Sequence, residues 1–239
     1  MTTKLQDCFL PDARRTGQVV AEFAQSETDP FKTVKQNENG YCAGLTLHWL
    51  SLRQLNKPWP RDQASTDGVA LAAKASATYD QYVKGNAKAL DEAGTWATIG
   101  RGIMGDHMGV QSNNLMQIKG ALAATAPTFN LMIDQGSDPV LWSSQRGEDF
   151  MHEVAVRGSG FYYMSIFAPQ GSHAIALHVI SSAHTSGVDF FDPNIGHLHY
   201  ADPMTLRWSF ARLLDCYVRT SNLAFARGYA IRMTIKALR

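Results

Sequence analysis

The stretch QNENGYCAGLTLHWLSL, from Gln36 to Leu52, places a single cysteine two residues after a glycine and at the start of an amphipathic run. From Cys42 onward the apolar residues suit a largely buried helix that ends before Pro58. A thiolate is favoured at the N-terminal end of a helix, because the helix dipole is positive there. Cys42 is therefore a candidate nucleophile, provided that a histidine elsewhere in the chain can accept its proton.

The composition is that of an ordinary globular protein and argues against several classes of partner. The chain has 239 residues, of which 45% are hydrophobic and 18% are charged, and its formal net charge is +1. This balance argues against nucleic acid or an anionic membrane as the partner. Residues 158–188 form the longest stretch without a charged side chain, but they contain a proline and three histidines, so no transmembrane span is expected. The N-terminus lacks the apolar core of a cleavable signal peptide.

The three cysteines predict neither a disulfide framework nor a metal site. Cys8, Cys42 and Cys216 are odd in number and widely spaced, and no pair has metal-ligand spacing. This usage favours a reducing compartment. Cys216 lies in an apolar helical stripe and is interpreted as a core residue, whereas Cys8 is interpreted as a thiol on an N-terminal arm.

The pattern along the chain predicts a flexible N-terminal arm followed by one domain. Residues 1–30 are polar with weak periodicity and are interpreted as the arm, with a short edge strand at Gln18 to Phe23 as the alternative. Residues 31–239 form the domain. Helices are predicted from Cys42, over residues 66–90 and 113–125, from Ser137 or Asp138 to about Val156, and from Asp202 through Val218. Residues 95–109 are predicted to be a loop.

The second half of the chain predicts an antiparallel sheet. Four β-branched and aromatic runs between residues 160 and 202 are separated by turn sequences, which is typical of a meander, and residues 228–238 form a closing strand. A helical N-terminal lobe packed on an antiparallel sheet lobe is the α+β class.

His173 and Asp192 are the best partners for Cys42. His173 follows a Pro-Gln-Gly-Ser turn and opens an apolar strand, and Asp192 ends the next strand. Adjacent antiparallel strands can bring these positions together, so that the carboxylate orients the imidazole and leaves its other nitrogen for sulfur. His178 and Asp189 are the alternatives, but their separations of five and three residues place them on the opposite faces of their strands.

The order Cys, His, Asp, with a sequence separation of 131 between the first two, is the papain-like arrangement, in which nucleophile and base sit on opposite lobes. Gln36 or Asn37, just upstream of Cys42, could supply a side-chain amide that pairs with the Cys42 backbone N–H to stabilise an oxyanion. No cofactor or metal is needed for this chemistry.

Three other patterns are rejected as functional signals. GRGIMG at residues 100–105 matches a dinucleotide-binding pattern but lacks the surrounding strands and the acidic residue. His197 and His199 could bind zinc with His184, but no cysteine or glutamate completes the site. In RGSGF the glycines directly flank Ser159, which is not the spacing of a nucleophile elbow.

The segments GYCAGLTLHWL, SHAIALHVI and FFDPNIG resemble the three motif blocks of the YopT/AvrPphB-type cysteine peptidases, over Gln36 to about Tyr200. These are papain-like proteases that bacterial pathogens and symbionts deliver into host cells. The resemblance implies Cys42 as nucleophile, His173 as base and Asp192 as orienting acid, and it favours Asn37 over Gln36 as the oxyanion donor. Thr46 departs from the pattern, which has serine at this position.

The resemblance further implies a secreted bacterial effector or toxin. Such a protein uses a specialised secretion system without a cleavable signal peptide and cleaves specific proteins in the cytosol of a host or competitor cell. A chaperone or an immunity protein would be its other partner. Two alternatives remain: a glutamine deamidase or transglutaminase that uses the same triad, and a non-catalytic binding module of the same fold.

Overall fold

The computed structural model describes residues 3–27, 42–59, 70, 72, 74–78, 106–142, 147–169, 171–181 and 186–236. Within them, an antiparallel sheet lies between two groups of helices. The helices are α1 (Lys4–Thr16), α2 (Cys42–Gln54), α3 (Asp106–Thr125), α4 (Gly147–Val156) and α5 (Pro203–Ser221). The strands are β1 (Gln18–Glu22), β2 (Leu131–Ile133), β3 (Val140–Trp142), β4 (Gly160–Ala168), β5 (Gly171–Ser181), β6 (Ser186–Asp192), β7 (Gly196–Tyr200) and β8 (Arg227–Ile235).

The sheet confirms the predicted meander and adds strands at both of its edges. Its order is β1-β7-β6-β5-β4-β8-β2, with β3 also paired to β8, and all pairs are antiparallel. The closing strand β8 returns across the sheet to pair with β4 rather than with its chain neighbour β7. The mixed helix and antiparallel sheet architecture agrees with the α+β prediction.

The two faces of the sheet carry separate hydrophobic cores, because alternate residues of each strand point to opposite sides. One core joins the sheet to α1, α4 and α5, with Phe9, Phe150 and Phe210 among its buried members. The other joins it to α2 and α3, through residues such as Trp49 and Leu122. Helices therefore cover both faces of the sheet. No helix in the described ranges is long and apolar enough to cross a membrane.

The interpretation of residues 1–30 as a flexible arm is wrong for residues 3–27. Helix α1 begins with a capping box between Thr3 and Gln6 and buries an apolar stripe, and β1 pairs with β7 as the edge strand of the sheet. The alternative of an edge strand at Gln18 to Phe23 is thus the correct one. The N-terminal segment belongs to the same sheet and core as the residues after position 30.

Cys8 and Cys216 form a disulfide that the cysteine count did not predict. It joins α1 to α5 across 208 residues of sequence, with a Cα–Cα distance of 5.9 Å. Cys8 is therefore not an arm thiol, although Cys216 is buried in the core as expected. Because disulfides form mainly in oxidising environments, the cysteines no longer argue that the protein is confined to a reducing compartment.

Two helix predictions need correction. The predicted helix from Ser137 or Asp138 to Val156 is a strand, β3, followed by the shorter helix α4, because Val140 and Trp142 alternate with an exposed residue and pair with β8. The predicted helix at 113–125 begins earlier, at Asp106, so the loop prediction is wrong for residues 106–109, and residues 95–105 lie outside the described residues. Residues 70, 72 and 74–78 are helical, as expected, and the rest of the 66–90 prediction lies outside the described residues. Helix α5 and strand β8 lie where the sequence places them.

Candidate active site

Cys42 is the first residue of α2, and it is buried with 9% of its surface exposed. A neighbouring helical segment holds this end of α2 in place. Ser76 accepts a hydrogen bond of 2.8 Å from the Gly44 backbone N–H, and a Cβ at Gly44 would lie 1.9 Å from the Ala72 carbonyl oxygen. The glycine two residues after Cys42 is therefore required for this close helix contact.

His173 lies near the start of β5 and is 6% exposed. The Thr46 hydroxyl of α2 donates a 3.1 Å hydrogen bond to the carbonyl of Ala174, the next residue in the strand. This bond ties the first turn of α2 to the strand that carries His173. It therefore contributes to the placement of Cys42 near His173.

Asp192 ends β6, is fully buried and accepts a 3.0 Å hydrogen bond at Oδ1 from His173 Nε2. The Pro-Asn-Ile-Gly turn that follows fixes the carboxylate, because the Asn194 backbone N–H donates to the same oxygen at 2.8 Å. Gly196 closes the turn at φ 118°, and a Cβ there would lie 2.1 Å from the Ala21 carbonyl oxygen of β1. The close packing of β1 thus accounts for the glycine.

Electrostatics favour a protonated His173. Burial alone would lower the pKa of His173, but the charge and hydrogen bond of Asp192, with smaller contributions from a hydrogen bond and the charge of Cys42, raise it from 6.5 to about 10. The imidazole is therefore an imidazolium at neutral pH. Since Nε2 is bonded to Asp192, Nδ1 is the nitrogen left for the sulfur of Cys42.

Tyr217 is a residue of the site that sequence reasoning missed. It lies on α5 with 2% of its surface exposed, and its hydroxyl lies 2.8 Å from Asp192 Oδ2 and 3.0 Å from His173 Nε2. The Asn194 side chain donates to the same hydroxyl at 3.1 Å, and Gln25 in turn holds Asn194 at 2.8 Å. In the sequence, Tyr217 is visible only as one apolar position of a helix.

The two alternatives, His178 and Asp189, lie on the other face of the sheet and bond to each other at 3.2 Å. His178 stacks on Phe161 at 4.2 Å. Asp189 also accepts hydrogen bonds from Arg53 at 2.6 Å and His199 at 2.9 Å. Although burial opposes ionisation, the histidine N–H groups and the Arg53 charge hold the pKa of Asp189 well below its usual range. This cluster ties the far end of α2 to the sheet.

Two of the remaining candidates from the sequence, His197 and His199, contact an aspartate, and the others lie outside the residues that the structure describes. His197 and His199 both face Asp189, at 3.5 Å and 2.9 Å. Among the described residues, no group of histidine, cysteine or acidic side chains is arranged to hold a metal ion. The oxyanion candidates Gln36 and Asn37 lie outside the described residues, as do His184 and the GRGIMG segment.

Comparison with known proteins gives a family match and a structural match. Residues 14–227 match the model of the Peptidase_C58 family, described as Yersinia/Haemophilus virulence surface antigen. The fold is similar to the crystal structure of the Pseudomonas avirulence protein AvrPphB, with a TM-score of 0.61 and 17% sequence identity over 91% of this chain and 97% of that one. A search of curated protein sequences gives no significant match. At this identity the structural match shows a shared papain-like fold.

Proposed function

Because the chain belongs to the Peptidase_C58 family of cysteine peptidases, we propose that it hydrolyses peptide bonds with Cys42 as nucleophile, His173 as general acid and base, and Asp192 as the group that orients His173. One observation carries this assignment. The Cys42 side chain contributes a hydrogen bond and a charge that raise the pKa of the buried His173. The Nε2 atom of His173 bonds the buried carboxylate of Asp192 at 3.0 Å. These are the three groups that thiol-based acyl transfer needs, in the required order.

The proposed reaction begins from the thiolate of Cys42 and the imidazolium of His173. The sulfur attacks the carbonyl carbon of the scissile peptide bond, and the C–N bond then breaks as His173 Nδ1 gives its proton to the leaving amine. Water attacks the resulting thioester while His173 takes up a proton from it. The C–S bond breaks, the carboxylic acid product leaves, and Cys42 and His173 return to their starting state.

We assign stabilisation of the tetrahedral oxyanion to the backbone N–H of Cys42 and a side-chain amide upstream, with Asn37 favoured over Gln36. The position of Cys42 as the first residue of α2 supports this, since the positive end of the helix dipole favours negative charge there. Replacing Asn37 with alanine should lower kcat by about 10²- to 10³-fold with little change in KM. The same change at Gln36 is the matched comparison.

The family membership supports a substrate that is a protein of another cell. We propose that the chain is an effector, secreted by a specialised system, that cleaves specific proteins in the cytosol of a host or competitor cell. A chaperone in the producing cell or an immunity protein would be its other partner. This chemistry requires neither cofactor nor metal.

The test is the appearance of new protein N-termini in a host-cell lysate. Purified protein is incubated with the lysate, and termini are compared between wild type and the variants Cys42→Ala, His173→Ala and His178→Ala. We expect new termini with wild type and with His178→Ala, a histidine change on the same strand, and none with the other two. Termini that Cys42→Ala produces equally would refute the proposal.

Two further results would replace the peptidase with another function. Glutamine residues converted to glutamate, or cross-linked to amines, without new termini would indicate a deamidase or transglutaminase that uses the same thioester. Capture of a host protein by wild type and Cys42→Ala alike, without any chemical change in it, would indicate a binding module. Intact-mass analysis of the captured proteins separates these cases.

A further inference from the structure

The hydroxyl of Tyr217 lies where Asp192, His173 and Asn194 converge. Its oxygen is 3.0 Å from Asp192 Oδ1, 2.8 Å from Asp192 Oδ2, 3.0 Å from His173 Nε2 and 3.1 Å from Asn194 Nδ2. A tyrosine hydroxyl has one hydrogen to donate and two lone pairs that can accept. The four contacts therefore restrict where every hydrogen in the group can lie.

Only one arrangement of hydrogens satisfies all of these atoms. The carboxylate is an acceptor, so Tyr217 donates its hydrogen to Asp192, along the shorter contact to Oδ2. The Asn194 amide N–H donates to one lone pair of the hydroxyl oxygen. The other lone pair can then accept only an N–H from His173 Nε2, which shares this hydrogen with Asp192 Oδ1.

This arrangement requires Nε2 of His173 to carry a hydrogen in every protonation state. The neutral tautomer is therefore the one whose Nδ1 can accept the proton of Cys42. Burial and the nearby charge of Asp192 raise the pKa of Tyr217 well above 10, so the hydroxyl keeps its hydrogen at all pH values at which the protein works. The negative end of the O–H dipole faces the imidazole and stabilises its cationic form.

Tyr217 is itself held rigidly. Its ring meets the edge of Phe225 at a centroid distance of 5.2 Å and an interplanar angle of 88°. The preceding residue, Cys216, is bonded to Cys8 of α1, so the C-terminal half of α5 is anchored covalently. Because the Tyr217 side chain is restrained in this way, its hydroxyl can fix the orientation of the Asp192 carboxylate.

We propose that Tyr217 is a positioning residue of the active site, whose hydroxyl fixes the plane of the Asp192 carboxylate and the tautomer of His173. This inference rests on the proposed function. Within the described ranges, the ionisable side chains that act on His173 are those of Asp192, Tyr217 and Cys42. Tyr217 acts on His173 directly and through Asp192, which it also bonds.

The experiment measures the rate at which iodoacetamide alkylates Cys42 as a function of pH, by intact mass under non-reducing conditions. It needs no substrate, and the disulfide removes the other two cysteines from the reaction. Tyr217→Phe keeps the ring and removes the hydroxyl. Tyr200→Phe is the matched control, because Tyr200 is also fully buried and bonds the hydroxyl of Ser209 on α5 at 2.9 Å, away from His173.

The acid limb is the low-pH part of the plot of alkylation rate against pH, where the rate rises with pH. In Tyr217→Phe we expect this limb to move to higher pH by about one unit, so that alkylation at a given pH on it is about tenfold slower. Tyr200→Phe should follow wild type. A purely structural role would lower the melting temperature in both variants and leave the limb in place. An acid limb that is the same in wild type and a folded Tyr217→Phe would overturn the proposal.

Two further variants make the result decisive. If Tyr217→Phe does not fold, Asn194→Ala tests the same arrangement, because it removes the amide that orients the hydroxyl. A smaller shift in the same direction supports the proposal and no shift overturns it. His173→Ala separates this inference from the proposed function. If Cys42 reacts like an ordinary thiol in both wild type and His173→Ala, both proposals fail. If the fast alkylation of wild type at low pH is lost in His173→Ala but kept in Tyr217→Phe, only this inference fails.

Discussion

Replacing Asp192 with asparagine should convert Cys42 into a thiol of ordinary reactivity. Asp192 is fully buried and is the main reason that His173 is an imidazolium at neutral pH. Asparagine has nearly the same shape, and its side-chain oxygen can still accept a hydrogen bond from His173 Nε2. The change therefore removes the negative charge while it preserves most of the packing.

The size of the effect follows from the pKa of His173. Its rise from 6.5 to about 10 corresponds to about 5 kcal/mol that favours the imidazolium. Without the charge of Asp192, burial becomes the dominant influence and favours the neutral ring. At pH 6, a thiol with an ordinary pKa of about 8.5 is only about 0.3% thiolate. Because a thiolate in an ion pair is intrinsically less nucleophilic, we expect alkylation to slow by about a hundredfold.

The assay is the rate of iodoacetamide alkylation of Cys42 at pH 6, followed by intact mass. Asp189→Asn is the matched control, since Asp189 lies on the same strand and bonds a different histidine on the opposite face. That control should leave the rate unchanged, and each variant is measured below its unfolding temperature, which circular dichroism gives. A folded Asp192→Asn that reacts at the wild-type rate would refute the reasoning about His173.

Three other predictions concern stability. Reducing the Cys8–Cys216 disulfide should lower the free energy of unfolding by about 2–5 kcal/mol, because the bond closes a loop with a sequence separation of 208; equal urea midpoints with and without reductant would contradict this. Deleting residues 1–24 should prevent folding, because α1 and β1 are part of the core and sheet; a truncated chain with an unchanged melting temperature would restore the flexible-arm interpretation. The pKa of His173 is higher in the folded chain, at about 10, than its unfolded value of 6.5, so its stabilisation is complete below pH 6.5 and lost as the pH rises through 10. In the proposed ion pair the folded chain holds one proton on His173, and the unfolded chain holds one on the Cys42 thiol until about pH 8.5, so the two contributions offset each other below that pH. The free energy of unfolding should therefore decline between about pH 8.5 and 10 in wild type and much less in Asp192→Asn; parallel curves would count against the ion pair.

The three motif blocks were readable from the sequence because each carries a local physical requirement. Cys42 precedes a glycine that close helix packing demands, His173 follows a turn, and Asp192 opens an Asx turn that ends in a glycine at positive φ. These requirements concern residues within a few positions of each other. Their chemistry therefore appears in the sequence before the fold is known.

The N-terminal segment was misjudged although its signals were present. Thr3 and Gln6 have capping-box spacing, and Leu5, Phe9 and Ala13 recur at the spacing of one helix face. Pro11 lies inside this helix, where proline removes a backbone hydrogen bond and disfavours the helical conformation. Packing against α5 and the sheet outweighs that loss, and such packing cannot be seen from the segment alone.

The disulfide and the role of Tyr217 depend on contacts between distant parts of the chain. Cys8 and Cys216 are separated by 208 positions, and an odd number of cysteines gave no reason to pair them. Tyr217 is 25 residues from Asp192 and 44 from His173, and a tyrosine in a helical stripe is most simply a core residue. Only the fold shows that its hydroxyl faces the carboxylate.

Thr46 differs from the serine of the family pattern, and the structure shows which atom of its side chain makes a contact. The pattern has serine at this position, and the fold uses the hydroxyl of Thr46 to donate to the Ala174 carbonyl at 3.1 Å. Serine carries the same donor, so the bond between α2 and β5 does not distinguish the two residues. Thr46 is fully buried, so its additional methyl group lies in the protein interior. The departure therefore leaves the hydrogen bond between α2 and the strand that carries His173 intact.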